Sequence, residues 1–147
     1  MTNQTDHIAT ATAPNAFADW PVEVHADMLA NQNSGCVGSV LVSETDDLRI
    51  WHLHLPAGQR CAFHRHVNPY FWTAMTVGTA RTYFSSGKIA DMTYHVGQTQ
   101  HYDYGDGEYM LHSLENIGET ELVFVTVEHL NGANDPLPIP DSVRLNK

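Results

Sequence analysis

Histidines are the residues of this chain whose number and spacing could do chemistry. The sequence has ten of them in 147 residues, and His64 and His66 stand two positions apart. Side chains at that spacing on a β-strand point to the same face of the sheet, so both imidazoles can bind one metal ion at about 2.1 Å. His52 and His54 have the same spacing. Spacing alone therefore does not identify the metal-binding pair.

The surroundings of the two pairs differ. Gly58 stands six residues before the pair at 64 and 66, and Gly78 stands twelve residues after it. Further along the chain, His112 and Asn116 form an H-x3-N pattern before a long apolar run. The first group resembles the first motif of the cupin family, and the second group resembles its second motif. The resemblance covers about residues 48 to 130 of this chain.

The resemblance implies an all-β chain folded as a cupin-type double-stranded β-helix, which is a jelly-roll barrel. It also implies that one divalent metal ion is held by His64, His66 and His112. Cupins usually carry a glutamate four or five residues after the second histidine, and here Tyr70 and Phe71 take those positions. Three-histidine sites are a variant of the family. Three neutral imidazoles leave the ion its full charge and at least one open position, which is typical of a catalytic site.

Four further residues are candidates for a role at such a site. Tyr70 stands where the glutamate is usual, and its hydroxyl could orient a substrate or its ring could simply form part of the wall. His101 could be a fourth ligand or a proton shuttle, or an ordinary strand histidine bonded to a neighbour. Arg81 could bind a substrate carboxylate or a surface acid. Glu108 could act as a base at the barrel mouth or be solvated.

The elements that must position these residues are short strands. In residues 48 to 55 the side chains alternate, so that Trp51, Leu53 and Leu55 share one face, while His52 and His54 lie on the other. Further β-rich runs lie at 37–42, 71–77, 79–84, 92–96, 98–104, 110–115 and 121–130. Many short strands separated by turn signals predict a sandwich or barrel. A helical period is present only in a short stretch at about 27–31.

Composition limits the partners and the location. The formal net charge is −10, with 17 acidic against 7 basic side chains, so neither a nucleic acid nor an anionic membrane is expected as a partner. No apolar stretch approaches the roughly 20 residues of a membrane-spanning helix, and the first residues do not resemble a signal peptide. Cys36 and Cys61 have no CxxC spacing, which favours two reduced thiols in a cytoplasmic protein.

The expected organisation is one domain with two extensions. Residues 1–15 are predicted to form a flexible arm, 16–130 the barrel, and 131–147 a tail. Pro136, Pro138 and Pro140 exclude a helix or a central strand in that tail. Its apolar residues could still pack along a neighbouring surface.

The expected function follows from the ion. Fe(II) would give a dioxygenase acting on a small organic molecule, and this is the interpretation that we favour. Zn, Mn or Ni would favour a lyase or isomerase, and imidazole ligands do not choose among these metals. A barrel that binds a small molecule without turnover is a further alternative. The resemblance also implies a homodimer.

Overall fold

The computed structural model describes residues 16–145, and these form mainly β-structure. One α-helix, α1, spans Val22–Ala30, and a 3-10 helix spans Asp141–Val143. The strands are β1 Val40–Glu44, β2 Leu48–Leu55, β3 His64–His66, β4 Tyr70–Ala74, β5 Gly78–Phe84, β6 Ile89–Tyr94, β7 Thr99–Tyr102, β8 Met110–Asn116 and β9 Leu122–His129. The described helices include none long and apolar enough to span a membrane.

The strands form two antiparallel sheets that enclose the core. The larger sheet has the order β1-β2-β9-β4-β7, and the smaller has the order β3-β8-β5-β6. In β2 the buried side chains include Trp51, Leu53 and Leu55, whereas His54 is exposed. The predicted alternation of this strand is therefore confirmed, as is the all-β barrel.

Some strand boundaries differ from the predicted ones because pairing, rather than local composition, sets them. β6 begins at Ile89, three residues before the predicted start, since Ile89 pairs with Tyr83 across a tight hairpin. Gly87 has a φ of +96° in that turn, a conformation that glycine adopts readily. β1 begins at Val40 rather than at residue 37, and Val37 instead packs against Leu41 and Trp51.

Helix α1 was not predicted, apart from the weak period at 27–31. Its buried side chains, Val24 and Met28, pack with Phe63, Tyr83 and Leu111 outside the barrel interior. Only two positions of the nine-residue helix are buried, so its sequence carries little of the periodicity by which a helix is recognised.

The residues after β9 pack along the barrel. The Arg49 guanidinium donates a hydrogen bond to the Leu137 carbonyl at 3.0 Å. Ile139 and Val143 contact the cluster that contains Trp51. The tail is thus held by apolar contacts and by its backbone, without a regular strand through its prolines. The predicted arm, 1–15, lies outside the described residues.

Candidate metal centre

Three histidines meet on the inner face of the smaller sheet. β3 pairs with β8 in a register that places His64 directly opposite His112, with His66 two positions along. One ring nitrogen from each residue lies within 4.8 Å of the other two. His64 and His66 are buried and His112 is half-buried. The predicted convergence of these three side chains is confirmed.

The hydrogen bonding of His64 fixes which of its nitrogens can bind a metal. Its Nδ1 lies 2.9 Å from the Ala62 carbonyl oxygen. A carbonyl can only accept, so Nδ1 carries the proton and the lone pair is on Nε2. Burial lowers the pKa of His64 to about 4. The imidazole is therefore neutral at pH 7, which is the form that binds metals.

The spacing of the other two histidines fits a shared ion. Nε2 of His66 and Nε2 of His112 are 3.2 Å apart. Two nitrogens at about 2.1 Å from one ion are separated by roughly 2.9 to 3.4 Å, depending on whether its geometry is octahedral or tetrahedral. The observed separation lies in that range. The donor set, all imidazole, suits Fe, Ni, Cu or Zn.

Tyr70 lies against the cluster. Its ring stacks on the His66 ring at a centroid distance of 4.0 Å and an interplanar angle of 10°. On its other side it stacks on Tyr102 at 4.7 Å. Burial, together with the neighbouring Tyr104 and Tyr102, raises the pKa of the Tyr70 hydroxyl well above its ordinary value, so this hydroxyl stays protonated. Tyr70 points inward and supports the His66 ring; an orienting role toward a substrate stays a prediction.

His101 is not brought to the cluster. Along β7 the buried residue is Tyr102, so the preceding His101 is exposed on the outer face, beside Phe71 at 5.1 Å. Because alternate strand residues point to opposite faces, its ring is on the other side of the sheet from the three histidines. The geometry therefore gives no support to a fourth-ligand or shuttle role.

The remaining candidates also lie outside the cluster. Arg81 donates two hydrogen bonds to Asp91, at 2.9 and 3.1 Å, on the partly exposed surface of the smaller sheet. Arg81 therefore binds a surface acid, as one of its two predicted roles stated, and not a group in the cavity. Glu108 is exposed and accepts a hydrogen bond from the Gly105 amide at 2.6 Å.

A cavity of about 690 Å³, measured out through its open mouth, lies next to the histidines. Most of its wall is aromatic or aliphatic. Besides the histidines and Tyr70, the wall includes Leu53, Trp72, Thr82, Phe84, Met92, Tyr94, Tyr102, Leu114, Phe124 and Thr126. These residues were not identified from the sequence. They lie on seven strands, at alternate positions where a strand contributes two of them, so finding them requires knowing which face of each strand turns inward.

A polar network holds the chain that precedes His64. Arg60 donates hydrogen bonds to the Asp27 carboxylate at 2.6 Å and to the Ser113 hydroxyl at 2.8 Å. The Phe63 amide also donates to Asp27, at 2.9 Å. Burial alone would raise the pKa of Asp27, but the hydrogen bonds from Arg60, Phe63 and Asn31 outweigh it and lower that pKa. Helix α1 is thereby tied to both strands that carry the histidines.

Two loops beside the site are held together by Asn134. Its side-chain amide donates to the carbonyls of Val67 and Gly105, at 3.1 and 3.0 Å. Its side-chain oxygen accepts from the Gly107 amide at 2.8 Å. The first loop connects β3 to β4, and the second is the long connection between β7 and β8. Asn134, in the tail, thus fixes the loop just before Tyr70 and the loop that contains Tyr104.

A buried carboxylate lies beside Tyr70, because Glu128 on β9 pairs directly with Tyr70 on β4. Glu128 is 3% exposed and accepts hydrogen bonds from the indole of Trp51 at 2.8 Å and from the amide of Asn68 at 3.1 Å. Burial raises its pKa. Because Asn68 lies in the loop between β3 and β4, this contact fixes the loop to the larger sheet.

Comparison with solved structures identifies the architecture. A cupin domain protein from Bordetella pertussis Tohama I superposes with a TM-score of 0.52 at 23% identity, covering 59% of this chain and 85% of that one. A double-stranded β-helix protein from Klebsiella pneumoniae MGH 78578 superposes with a TM-score of 0.50 at 24% identity, covering 69% and 76%. This chain has the cupin fold. No protein-family model and no curated protein sequence matches it. Within its cupin barrel, the two sequence motifs meet on the adjacent strands β3 and β8.

Proposed function

We propose that this cupin is a metal-dependent dioxygenase that acts on a small organic molecule inside the barrel. The observation that carries the proposal is the cluster of three imidazoles, His64, His66 and His112, beside an apolar cavity. A divalent ion held there would supply Lewis acidity, and Fe(II), which we favour, would also supply the capacity to react with O2.

The protein's own contribution is to orient the ligands and to keep the cavity apolar. The Ala62 carbonyl fixes the tautomer and the ring plane of His64, as outer contacts of metal ligands commonly do. The stack of Tyr70 on His66 restrains the second ring. The mostly apolar wall lowers the local dielectric constant beside the cluster, which strengthens electrostatic interactions there.

The cavity wall favours oxygen chemistry over proton transfer. Among the described residues that line it, none is Asp, Glu, Lys or Arg. The pKa of Tyr102 is raised to about 12 and that of Cys61 to about 11, both by burial. These groups remain protonated and are poor bases. A lyase or isomerase would need a side chain that accepts a proton, whereas the three imidazoles are engaged as ligands.

The proposal is tested by metal analysis together with O2 consumption. Purified protein should retain close to one ion per chain, and His64→Ala and His112→Ala should each lose most of it, whereas the surface variant His52→Ala should retain it. The Fe(II)-loaded protein should consume O2 in the presence of a panel of small diketones, thiols and phenols. Equal metal loss in all three variants would contradict the site assignment.

The same experiment separates the alternatives. Conversion of a substrate without O2 consumption would indicate a lyase or isomerase. A ligand that raises the melting temperature without any turnover would indicate a binding protein.

We also propose that the protein forms a homodimer through the outer face of the larger sheet. In the central strands of that sheet, the outward positions carry Ile50, Phe71, Val123, Val125 and Val127, together with uncharged polar residues and histidines. No Asp, Glu, Lys or Arg occupies an outward position of β2, β4 or β9. In a chain with a formal charge of −10, this is a face on which two copies can meet without opposing carboxylates.

Sedimentation of the wild type and of Val125→Glu tests the dimer. The variant places two carboxylates at the centre of the proposed contact and should be monomeric, while Thr93→Glu, which adds the same charge at an exposed position of β6 in the smaller sheet, should not alter the mass. A monomeric wild type at micromolar concentration would refute this part of the proposal.

A further inference from the structure

We infer that the cavity takes a flat, chelating anion whose negative charge is confined to the end that binds the ion and whose remainder is uncharged. The inference rests on the proposed function and adds the chemical class of the substrate. It is carried by the charges and the shape of the cavity wall.

The first step concerns the charge at the cluster. The cluster consists of three imidazoles, and its donor set includes no carboxylate. A divalent ion bound there keeps its full charge in a cavity whose other described lining residues are all uncharged. An isolated charge in such surroundings is unfavourable. The substrate must therefore bring the compensating anion, and two adjacent oxygens would fill the open positions.

The second step concerns the far part of the cavity. Leu53, Trp72 and Phe124 form an apolar surface there. None of the described residues that line the cavity is a lysine or an arginine. A carboxylate carried at that end would lose its hydration without gaining a cationic partner, which is costly. Neutral hydroxyl or carbonyl groups could instead meet the hydroxyls of Thr82 and Thr126.

The third step concerns shape. Trp72, Tyr94 and Phe124 pack edge-to-face, with centroid separations of 5.0 to 5.5 Å. Tyr70 and Tyr102 stack nearly parallel on another side. Because these rings line the cavity, an aromatic or otherwise planar molecule could make offset-stacked or edge-to-face contacts with them, which add to the gain from apolar burial.

Three matched probes test this on Zn(II)-loaded protein, in which binding is measured without turnover. Catechol carries two adjacent oxygens on an uncharged ring, 3,4-dihydroxybenzoate adds one carboxylate, and 1,2-dimethoxybenzene cannot become an anion. Calorimetric titration should show catechol binding at least about tenfold more tightly than either of the others, given the cost of burying an unpaired charge or of leaving the ion uncompensated. Catechol binding should disappear in His112→Ala, and the zinc content is measured after each titration.

A charge introduced into the wall provides the complementary test. Met92 lines the cavity and is partly buried, and Met92→Lys should raise the affinity for 3,4-dihydroxybenzoate by about tenfold, because the lysine supplies the missing partner. Met75→Lys, at a position that is 50% exposed and outside the cavity wall, should leave both affinities unchanged.

The possible failures are distinguishable. If zinc binds stoichiometrically but the carboxylated probe binds wild type as tightly as catechol does, the substrate class is wrong and the metal site stands. Tight binding of the dimethoxy probe would equally overturn the requirement for an anion. If zinc does not bind to wild type, the proposed function fails as well.

Discussion

Asp27 offers a sharp test of how the fold supports the candidate site. The substitution Asp27→Asn removes the charge that faces Arg60 and replaces one carboxylate oxygen with an amide that cannot accept a hydrogen bond. Either the Arg60 guanidinium and the Phe63 amide, which share Oδ2, or the Asn31 side-chain amide, which binds Oδ1, then loses its acceptor. The Asp27 and Arg60 side chains are 13% and 20% exposed. Weakening charge-assisted hydrogen bonds at such a partly buried pair should cost about 2 to 3 kcal/mol in the free energy of unfolding.

The chain contains a matched control for this substitution. Asp91 also binds an arginine, Arg81, at 2.9 Å, but these side chains are 46% and 39% exposed. Because solvent screens an exposed pair, Asp91→Asn should cost no more than about 1 kcal/mol. Urea unfolding at pH 7 of the wild type and the two variants measures both values, and an unchanged m-value supports the comparison.

The effect of Asp27 should also depend on pH in a defined direction. The pKa of Asp27 is lower in the folded chain than its ordinary value of 3.8, so folding favours the ionised carboxylate. Its contribution is complete above pH 3.8 and is lost as the pH falls through the lower folded pKa. The stability difference between wild type and Asp27→Asn should therefore narrow in that acidic range. Two results would refute the reasoning. One is an equal loss of unfolding free energy in Asp27→Asn and Asp91→Asn at pH 7, and the other is a stability difference between wild type and Asp27→Asn that widens as the pH falls.

Three further predictions concern the ion and the packing. Metal content, followed by dialysis and mass spectrometry, should fall as the pH is lowered through about 4, because burial lowers the pKa of His64 to about 4 and an imidazole must be neutral to bind; full occupancy at pH 3 would be inconsistent with an all-histidine site. Gly78→Ala should lower thermal stability by about 1 to 3 kcal/mol, since the added Cβ would lie 2.6 Å from the buried side chain of Leu122. Asn134→Ala should speed amide exchange in the loop between β7 and β8, because three hydrogen bonds to Val67, Gly105 and Gly107 are lost; unchanged exchange at Gly107 would show that the loop does not depend on them.

The alternation of β2 is predicted by its period of two. The fold class and the three histidines are predicted by the resemblance of two motifs to those of the cupin family, because spacing alone does not separate His64 and His66 from His52 and His54. It does not predict the inward face of β7, where a shift of one residue decides whether His101 or Tyr102 enters the barrel. The partners of Arg81 and Asp27 depend on the register between distant strands and on the placement of α1. The aromatic cavity wall is the clearest case, since Trp72, Tyr94 and Phe124 meet only after three strands have been placed.

The position of β3 has a consequence for the metal-free protein. This strand has three residues, two of which are His64 and His66, and it lies at the edge of its sheet with β8 as its neighbour. An ion bound by these residues and His112 would cross-link positions that are 46 residues apart in the chain. It would thereby reinforce a strand that pairs with β8 over only three residues. Without the ion, β3 would still be held by its pairing with β8 and by the hydrogen bond that the Arg65 amide donates to the Ser34 carbonyl at 2.7 Å. It would lose the cross-link to His112, so faster exchange of its backbone amides with solvent would report an empty site.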